Sequence, residues 1–433
     1  MLLAKLLNRA LTDDAVALID HLGTRHHCGP ADKNPSLVVR LTTRSVARRL
    51  LMNSDVALGE GYMAGEILIE RGNLRDLLKF IFSQQHVLNR LIWMNWLPFI
   101  STLRLSFARL YQMNFPQFAR RNAEFHYNIG NSFYEKFLGP TMQYSCAYFP
   151  EKVIPLGKKE ALHCYHLGAP QDLEEAQARK IELLIRKMYL QNGMTILDVG
   201  CGWGGLAIEI AKSADVEVLG ISLSEEQITY AKRAAARAGV GNRVRFELCD
   251  YRRLTAKYDR IVSVGMFEHV GRSFYRSFFE HIDNALCSNG LFLLHTIGIV
   301  DRPGGTNPWL RKHVFPGGYI PALSEIVKSS ERSSLFLTDI EILRLHYAFT
   351  LREWERRFSE AHKASKGDRS DQFIRMWRFY LIASEMAFVY GRFVNFQLQF
   401  TKDRFTLPIT RDYLHRTINA ALSPESGWKP ASA

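Results

Sequence analysis

The sequence predicts an α/β protein: a doubly wound, Rossmann-like sheet accompanied by a smaller N-terminal domain. Three observations support this prediction. A glycine-rich turn joins a strand pattern to a helix pattern at residues 194–212, four further strand patterns follow it, and the chain has 433 residues. Strands that alternate with helices form mainly parallel sheets. Because domains commonly have ~150 residues, this length leaves room for a second folding unit. We place the domains at residues 1–120 and 121–433.

The composition indicates a globular protein with an anionic partner. Hydrophobic residues make up 47% of the chain and aromatic residues 12%, which excludes global disorder. The formal net charge of +13 indicates an anionic partner, which could be nucleic acid, an acidic lipid surface or a phosphorylated ligand.

The basic excess is densest near the N-terminus. Residues 1–120 contain 15 basic and 9 acidic side chains, and residues 86–121 contain five arginines, no acid and a run of Trp, Phe and Tyr. Arginines beside aromatic residues suit an amphipathic segment at an anionic bilayer surface. The alternative, an aromatic core with solvated arginines, stays open.

Cysteine and hydropathy patterns predict a cytoplasmic protein that visits membranes only at their surface. The six cysteines contain no C-x-x-C pair, so the sequence suggests neither a disulfide framework nor a zinc site. The His/Cys clusters at residues 26–28 and 163–166 lack a second ligand pair and are interpreted as surface loops, with no metal. No window has the ~18 uninterrupted apolar residues that a membrane-spanning helix needs.

The N-terminal domain is predicted to be either a small α/β unit or mostly helical. Strand-like alternation marks residues 37–50, and a loop is predicted at residues 52–71, punctuated by Gly59, Gly61 and Gly65 and followed by Gly72. Turn signals also predict a loop at residues 153–171.

The glycine turn predicts a nucleoside-binding site. Gly200, Gly202 and Gly205 match G-x-G-x-x-G, a spacing that many dinucleotide enzymes share. Here, however, Asp198 precedes the glycines. In addition, the second strand pattern ends at Ser222 without the acidic residue that would hydrogen-bond the ribose hydroxyl of a dinucleotide. These two features favour S-adenosylmethionine (SAM) over a dinucleotide.

Polar residues follow the five strand patterns of the predicted sheet. Ligands of such sheets bind at the carboxyl ends of the strands, so these side chains should converge on one crevice. They are Asp198, Ser222, Asp250, Glu268 and His295.

Seven segments together resemble the cyclopropane-fatty-acyl-phospholipid synthases and the related mycolic acid cyclopropane synthases. They are YSCAYF (144–149), EEAQARK (174–180), LDVGCGWGG (197–205), GISLSEEQ (220–227), DYR (250–252), DRIVSVGMFEHVG (259–271) and LLHTIG (293–298). The resemblance implies a SAM-dependent methyltransferase fold and transfer of a methylene from SAM to the cis double bond of an unsaturated phospholipid acyl chain.

The resemblance also implies site residues. A bound bicarbonate would act as the base that removes a proton from the new methyl group, held by the catalytic residues Cys146, Glu268, His295, Ile297 (through its backbone) and Tyr347. The residues expected around SAM are Tyr144, Ser145, Asp198, Gly200, Gly202, Gly205, Ser222, Leu223, Gln227, Asp250 and Tyr251.

Two positions depart from the family pattern. Ser384 stands where relatives often have a cysteine that is sometimes described as a nucleophile, so this chain has no thiol nucleophile there. We interpret the stretch at residues 152–171 as longer than the corresponding stretch in many members of the family that the chain resembles.

The leading hypothesis is therefore a cytoplasmic enzyme that associates peripherally with the inner membrane and cyclopropanates phospholipids on an anionic surface. A methyl-branching enzyme acting on the same alkene and a small-molecule methyltransferase remain alternatives. A nucleic-acid-binding protein is disfavoured because the sequence contains no base-reading motif. The sequence leaves the oligomeric state open, with a homodimer as one alternative.

Overall fold

A computed structural model describes residues 1–84, 129–150, 172–364 and 368–415 of the chain. These residues form two compact units. The first unit contains residues 1–84 together with Gly305–Pro316 and Leu351–Phe393, and the second contains the other described residues. The predicted boundary after residue 120, the arginine-rich segment at 86–121, the cluster at 163–166 and the stretch at 152–171 lie outside the described residues, and they stay predictions.

Helices and strands are numbered in chain order over the described residues. The helices are α1 (Leu2–Ala10), α2 (Arg44–Met52), α3 (Ser54–Met63), α4 (Leu74–Ser83), α5 (Asn131–Leu138), α6 (Leu173–Met188), α7 (Gly205–Ser213), α8 (Glu225–Arg237), α9 (Tyr275–Ala285), α10 (Pro308–His313), α11 (Leu323–Ser330), α12 (His346–Ala364) and α13 (Asp371–Val389). The strands are β1 (Val16–Ile19), β2 (Arg25–Cys28), β3 (Leu37–Leu41), β4 (Ile67–Arg71), β5 (Thr195–Val199), β6 (Glu217–Ser222), β7 (Val244–Leu248), β8 (Tyr258–Val264), β9 (Leu286–Ile299), β10 (Phe336–Leu343) and β11 (Phe393–Thr401).

The first unit is built on a four-stranded sheet in the order β2-β1-β3-β4. β1 pairs with β3 in parallel, and the other two pairs are antiparallel. Apolar residues from α1, α2, α4 and all four strands form its core. Of the two predicted alternatives for this part of the chain, the α/β one is therefore confirmed.

The loop predicted at residues 52–71 is wrong, because most of this stretch forms α3 and β4. Two of its glycines lie inside α3, where they allow close packing rather than a turn. A Cβ on Gly59 would lie 2.4 Å from the indole Nε1 of Trp309, and one on Gly61 would lie 2.8 Å from Cγ2 of Val46. These positions are glycine because neighbours outside α3 pack closely against them, and the local sequence pattern, which suggests a loop, does not show this.

The surface loop predicted at residues 26–28 is also wrong, since these residues form most of β2 at the edge of the sheet. There His26 Nε2 lies 2.8 Å from Oδ2 of Asp20. Within the described ranges, no group of three or more His, Cys, Asp or Glu side chains could hold a metal ion.

A cluster of charged side chains connects three helices of the first unit. Arg75 of α4 contacts Glu385 of α13 at 2.9 Å and Glu355 of α12 at 3.3 Å. Arg378 of α13 also contacts Glu355, at 2.9 Å. Because Glu385 is fully buried, its charge depends on this pairing.

The second unit is built on a seven-stranded sheet in the order β10-β11-β9-β8-β5-β6-β7. The five strands from β5 to β9 pair in parallel, and all five were predicted from the sequence. β10 and β11 were not predicted, and they pair with each other in antiparallel fashion.

Helices cover both faces of this sheet. One apolar cluster joins α6, α7 and α8 to the strands, and a second joins α9 and α11 to them. The prediction of a doubly wound α/β fold is therefore confirmed. Across the described ranges, no helix combines the length and the apolar character needed to cross a membrane.

Replacing Arg75 tests the charged cluster of the first unit. We expect Arg75→Met to lower the free energy of unfolding by about 3 kcal/mol, because it removes the guanidinium from a buried carboxylate. The matched control is Arg179→Met, which breaks an exposed pair with Glu175 on α6 and should cost less than about 1 kcal/mol. Urea denaturation followed by circular dichroism measures both, and equal losses would contradict the role assigned to Arg75.

Candidate active site

The glycine turn after β5 forms the floor of a cavity in the second unit. Gly200, Gly202 and Gly204 have φ angles of +87°, +53° and +83°, values that favour glycine. The N–H groups of Gly200 and Cys201 donate to the carbonyl of Ile221 at 2.9 and 3.0 Å, which ties the turn to β6. The turn is therefore fixed before any ligand arrives.

The cavity lies at the carboxyl ends of β5, β6, β7 and β8. Ten of the eleven predicted SAM residues line it: Tyr144, Ser145, Asp198, Gly200, Gly202, Ser222, Leu223, Gln227, Asp250 and Tyr251. Gly205 is not among the lining residues. A Cβ on Gly205 would lie 2.1 Å from the carbonyl oxygen of Thr141, so this glycine lets the segment before Tyr144 approach α7.

Two buried charged groups stand at one side of the cavity. Asp198 is 1% exposed, and its Oδ2 has no hydrogen-bond partner among the described residues. Lys180 of α6 is fully buried, and its Nζ donates to Oγ of Ser145 at 3.0 Å and to Oε1 of Gln143. Burial raises the pKa of Asp198 to about 7, against the opposing charge of Lys180. Burial also lowers the pKa of Lys180 to about 7.

Hydrogen bonds within the protein orient the polar side chains that follow β6 and β7. Ser222 Oγ donates to Oε1 of Gln227 at 2.9 Å, which leaves the amide nitrogen of Gln227 as its donor. Asp250 Oδ1 accepts from the backbone N–H of Arg252 at 3.0 Å and from its Nε at 2.8 Å. Although burial opposes it, this pairing holds the pKa of Asp250 below its usual value. These residues offer a ligand an amide donor and an ionised carboxylate.

Glu268, Ile297 and His295 lie near the ends of β8 and β9. Glu268 Oε1 accepts from the N–H of Ile297 at 2.6 Å, whereas its Oε2 has no partner within the described part of the chain. Burial raises the pKa of Glu268 to about 7, although the N–H of Ile297 opposes the shift. The neutral form of this carboxyl group can therefore donate a proton in a hydrogen bond.

His295 is 1% exposed and lies between two amide side chains of β11. Its Nδ1 is 3.1 Å from Nε2 of Gln397, and its Nε2 is 3.4 Å from Nδ2 of Asn395. Burial, with the positive charges of Lys180 and Lys187, lowers the pKa of His295 to about 3. The imidazole is therefore neutral at physiological pH.

Cys146 and Tyr347 are both buried. The thiol of Cys146 donates to the carbonyl of Ala147 at 3.3 Å, and the N–H of Ala147 donates to Oγ1 of Thr350 on α12 at 3.1 Å. Burial raises the pKa of the thiol, which keeps it protonated. None of the five predicted catalytic residues is among those that line the cavity described above.

Ser384 lies half-buried on α13 in the first unit, directly before Glu385. The absence of a thiol at this position follows from the sequence itself.

Sequence reasoning missed several polar residues around the site. Gln177 and Lys180 belong to a segment that the resemblance already contained. They lie three residues apart on α6, and this spacing, which places them on one face of the helix, was the available signal. Gln177 Nε2 donates to the carbonyl of Ser145 at 3.0 Å. Asn395 and Gln397 gave no such signal, because they lie on a strand that was not predicted.

These residues fit SAM, a cationic nucleoside. The fit rests on the unpartnered, buried oxygen of Asp198 and on the space beside Gly202, where no described atom lies within 4 Å of an added Cβ. A backbone without side chains can approach a nucleoside closely, and a buried carboxylate can accept from the amino-acid or ribose end.

Comparison with known proteins agrees with this geometry. Residues 116–398 match the family model described as mycolic acid cyclopropane synthetase, and residues 2–90 match a domain of unknown function. The cyclopropane-fatty-acyl-phospholipid synthase of Escherichia coli K12 is 36% identical over 352 residues, which cover 81% of this chain and 84% of that protein. The tuberculostearic acid methyltransferase UfaA1 of Mycobacterium tuberculosis is 32% identical over 89% of this chain and 88% of that protein.

Solved structures of cyclopropane synthases also resemble this chain. The cyclopropane synthase MmaA2 from Mycobacterium tuberculosis is 29% identical with a TM-score of 0.58, covering 65% of this chain and 98% of that one. The mycolic acid cyclopropane synthase CmaA1, solved in complex with SAH and CTAB, is 29% identical with a TM-score of 0.57, over the same shares. The chain therefore belongs to the mycolic acid cyclopropane synthetase family and is a SAM-dependent methyltransferase.

Proposed function

We propose that this enzyme is a cyclopropane fatty acid synthase that acts on unsaturated acyl chains of membrane phospholipids, with a bound bicarbonate as its base. The main support for the proposal is the state of the Glu268 carboxyl group. It is buried, its pKa is raised, and one of its oxygens has no hydrogen-bond partner among the described residues. The 36% identity to the Escherichia coli synthase over most of both chains supports the substrate class.

SAM, when bound, supplies an electrophilic methyl group. Asp198, the glycine turn, Ser222, Gln227 and Asp250 would hold it at the carboxyl ends of the strands. A buried site would exclude water, which would protect a carbocation formed at the alkene from hydration. An alkene is a poor nucleophile, so positioning has to supply much of the catalysis.

The predicted catalytic residues suit an anion held by neutral donors. Burial keeps the thiol of Cys146 protonated, favours the acid form of Glu268 and keeps His295 uncharged. Each of these groups can donate a hydrogen bond, and none is a strong nucleophile in that form. Bicarbonate would supply the basic oxygen that takes the proton, and the tyrosine hydroxyl of Tyr347 would complete the set.

A methyl-branching reaction on the same alkene is the second candidate. It is favoured by the names of two relatives, the tuberculostearic acid methyltransferase of Mycobacterium tuberculosis and a probable fatty acid methyltransferase of Pseudomonas putida, which is 35% identical over 67% of this chain and 73% of that protein. Both candidate reactions need SAM and a carbocation, so product analysis has to separate them.

The first test is product analysis with Glu268→Gln as the matched variant. Purified enzyme, SAM and vesicles of unsaturated phosphatidylglycerol should yield an acyl chain one CH₂ heavier that silver-ion chromatography no longer retains and whose NMR spectrum shows ring protons. Glu268→Gln should bind SAM within about twofold of wild type and lose at least about 100-fold in turnover. A methyl or methylene branch in the product would support the second candidate instead. Loss of SAM binding in Glu268→Gln would show that Glu268 contributes to binding SAM and not to the proposed base.

Glu268→Gln also has an expected effect on stability. A carboxyl group whose pKa is raised in the folded state stabilises the fold below its unfolded pKa, and that contribution is lost as pH rises through about 7. The variant should therefore be more stable than wild type at pH 8, by about 1–3 kcal/mol without ligand. This result would also show that its inactivity is not caused by unfolding.

The second test concerns the pH dependence of SAM affinity. Raising the pH through about 7 ionises Asp198 and neutralises Lys180, and both changes favour a cationic ligand. The Kd of wild type should therefore fall about five- to tenfold between about pH 6 and pH 7.5. Asp198→Asn should weaken binding about tenfold at the higher pH and flatten the dependence.

The control for this test is Asp215→Asn, whose side chain is 81% exposed and which should behave as wild type. Calorimetric titration measures all three proteins. A wild-type affinity that does not change with pH would contradict the role of Asp198.

We further propose that the first unit docks on anionic phospholipid from the cytoplasmic side of the inner membrane. Arg44, Arg48 and Met52 of α2 are exposed and follow at intervals of four residues, which places them on one face of the helix. Met52 is 82% exposed. Basic residues beside an exposed apolar side chain suit a charged lipid surface.

The third test is flotation with phosphatidylglycerol vesicles. The double variant Arg44→Ser/Arg48→Ser should bind about tenfold more weakly than wild type. The control double variant Lys232→Ser/Arg233→Ser removes the same charge from an exposed face of α8 and should bind as wild type does. Equal losses in both variants would indicate a general charge effect and contradict docking through α2.

A further inference from the structure

A chain of polar side chains leads from Glu341 on β10, which is partly exposed, to the buried His295. Lys187, at the end of α6, lies between Oε2 of Glu341 at 2.5 Å and Oε1 of Gln397 at 2.7 Å. Gln397 then reaches Nδ1 of His295 through its amide nitrogen at 3.1 Å. Lys187, Gln397 and His295 are each no more than 1% exposed, so water does not compete for these contacts.

Lys187 fixes the orientation of the Gln397 amide. The side chain of lysine offers N–H donors, and Glu341 and Gln397 each present an oxygen to it. If the amide of Gln397 were turned by 180°, its NH₂ group would face the NH₃⁺ group of Lys187. The amide oxygen of Gln397 therefore stays on Lys187, and its NH₂ group stays on His295.

This orientation decides where His295 carries its proton. The NH₂ group of Gln397 can only donate, so Nδ1 of His295 must accept. A neutral imidazole that accepts at Nδ1 carries its hydrogen on Nε2. The hydrogen on Nε2 points towards the side of the ring where Asn395 lies.

The surroundings of Asn395 agree with a donor at Nε2. Its Oδ1 has no hydrogen-bond partner in the described residues, while its Nδ2 lies 3.4 Å from Nε2 of His295. Two N–H donors would then face each other. Turning the Asn395 amide through 180° presents its oxygen to His295, and the orientation of such amides is assigned from hydrogen-bond networks.

We propose that Glu341, Lys187 and Gln397 are positioning residues that hold His295 as the Nε2–H tautomer, so that it acts as a hydrogen-bond donor and not as a proton acceptor. The functional meaning of this tautomer rests on the proposed function. With its Nε2 hydrogen donated to the turned Asn395 amide, His295 has no free lone pair at Nε2, whereas an imidazole that accepted at Nε2 would compete with the base for the proton. The tautomer itself can be measured without turnover.

NMR of the full-length protein tests the proposal. With ¹³C- and ¹⁵N-labelled histidine, the ring signals of His295 are assigned by their loss in His295→Gln. Wild type should show the Nε2–H pattern at neutral pH. In Gln397→Glu a carboxylate faces Nδ1, so the ring should change to the Nδ1–H form or become doubly protonated.

Gln399→Glu is the matched control. Gln399 lies two residues further along β11, is equally buried, and binds the carbonyl of Lys187 at 2.6 Å and the hydroxyl of Tyr413 at 2.9 Å. The same chemical change there should leave the His295 pattern unchanged. Lys187→Met provides a second variant if Gln397→Glu does not fold, and it should give a mixture of tautomers because the Gln397 amide is free to turn.

An Nδ1–H pattern in wild type, or an unchanged pattern in both Gln397→Glu and Lys187→Met, would overturn the proposal. In the lipid assay, Gln397→Glu should lose at least about tenfold in turnover while its SAM affinity stays within about twofold of wild type. If wild type shows the Nε2–H pattern but makes no cyclopropane product, the proposed function fails and the assignment of the tautomer stands.

Discussion

The protonation states of the active site in the second unit depend on one constraint, the burial of ionisable side chains away from water. Asp198 on β5, His295 on β9 and Glu268 in the short helix after β8 are all buried. Low polarity penalises charge, so the acids hold their protons up to about neutral pH and the imidazole loses its own. A site in which hydrogen-bond donors are uncharged follows directly from this burial. It also has a cost, because a neutral residue of similar shape would stabilise the fold more at high pH.

Lys180 and Asp198 show how the same constraint acts on a pair of opposite charges. Burial moves their pKa values towards each other until both lie near 7. Burial therefore disfavours the charged form of both groups, while the opposite charge of each favours the charged form of the other. Lys180 also connects the site to the segment before Cys146, because it donates to Gln143 and Ser145. A change in the charge of Lys180 would therefore alter its hydrogen bonds to residues 143 and 145, which line the cavity.

The sequence predicted those parts of the molecule that short-range patterns determine. The five parallel strands, the glycine turn and the polar residues at the strand ends are local features, and ten of the eleven predicted SAM residues line one cavity. The missed features depend on residues far apart in the chain. His295 and Gln397 are 102 positions apart, and β11 itself was not predicted. In α3, Gly59 looked like a turn residue because its reason for being glycine, the indole of Trp309, lies 250 positions away.

The packing of Gly59 against Trp309 has a consequence for biosynthesis. The first unit uses residues 1–84 at the start of the chain, but it completes its packing with Gly305–Pro316 and Leu351–Phe393. At ribosomal rates of ~5–20 residues per second, these last segments follow the first ones by roughly 15–60 seconds. Until Trp309 is synthesised, the face of α3 that later receives the indole stays uncovered, and the five parallel strands β5 to β9 are all synthesised before the first unit is complete. The N-terminal part of this enzyme therefore begins the chain but can complete its packing only after residue 393 has been synthesised.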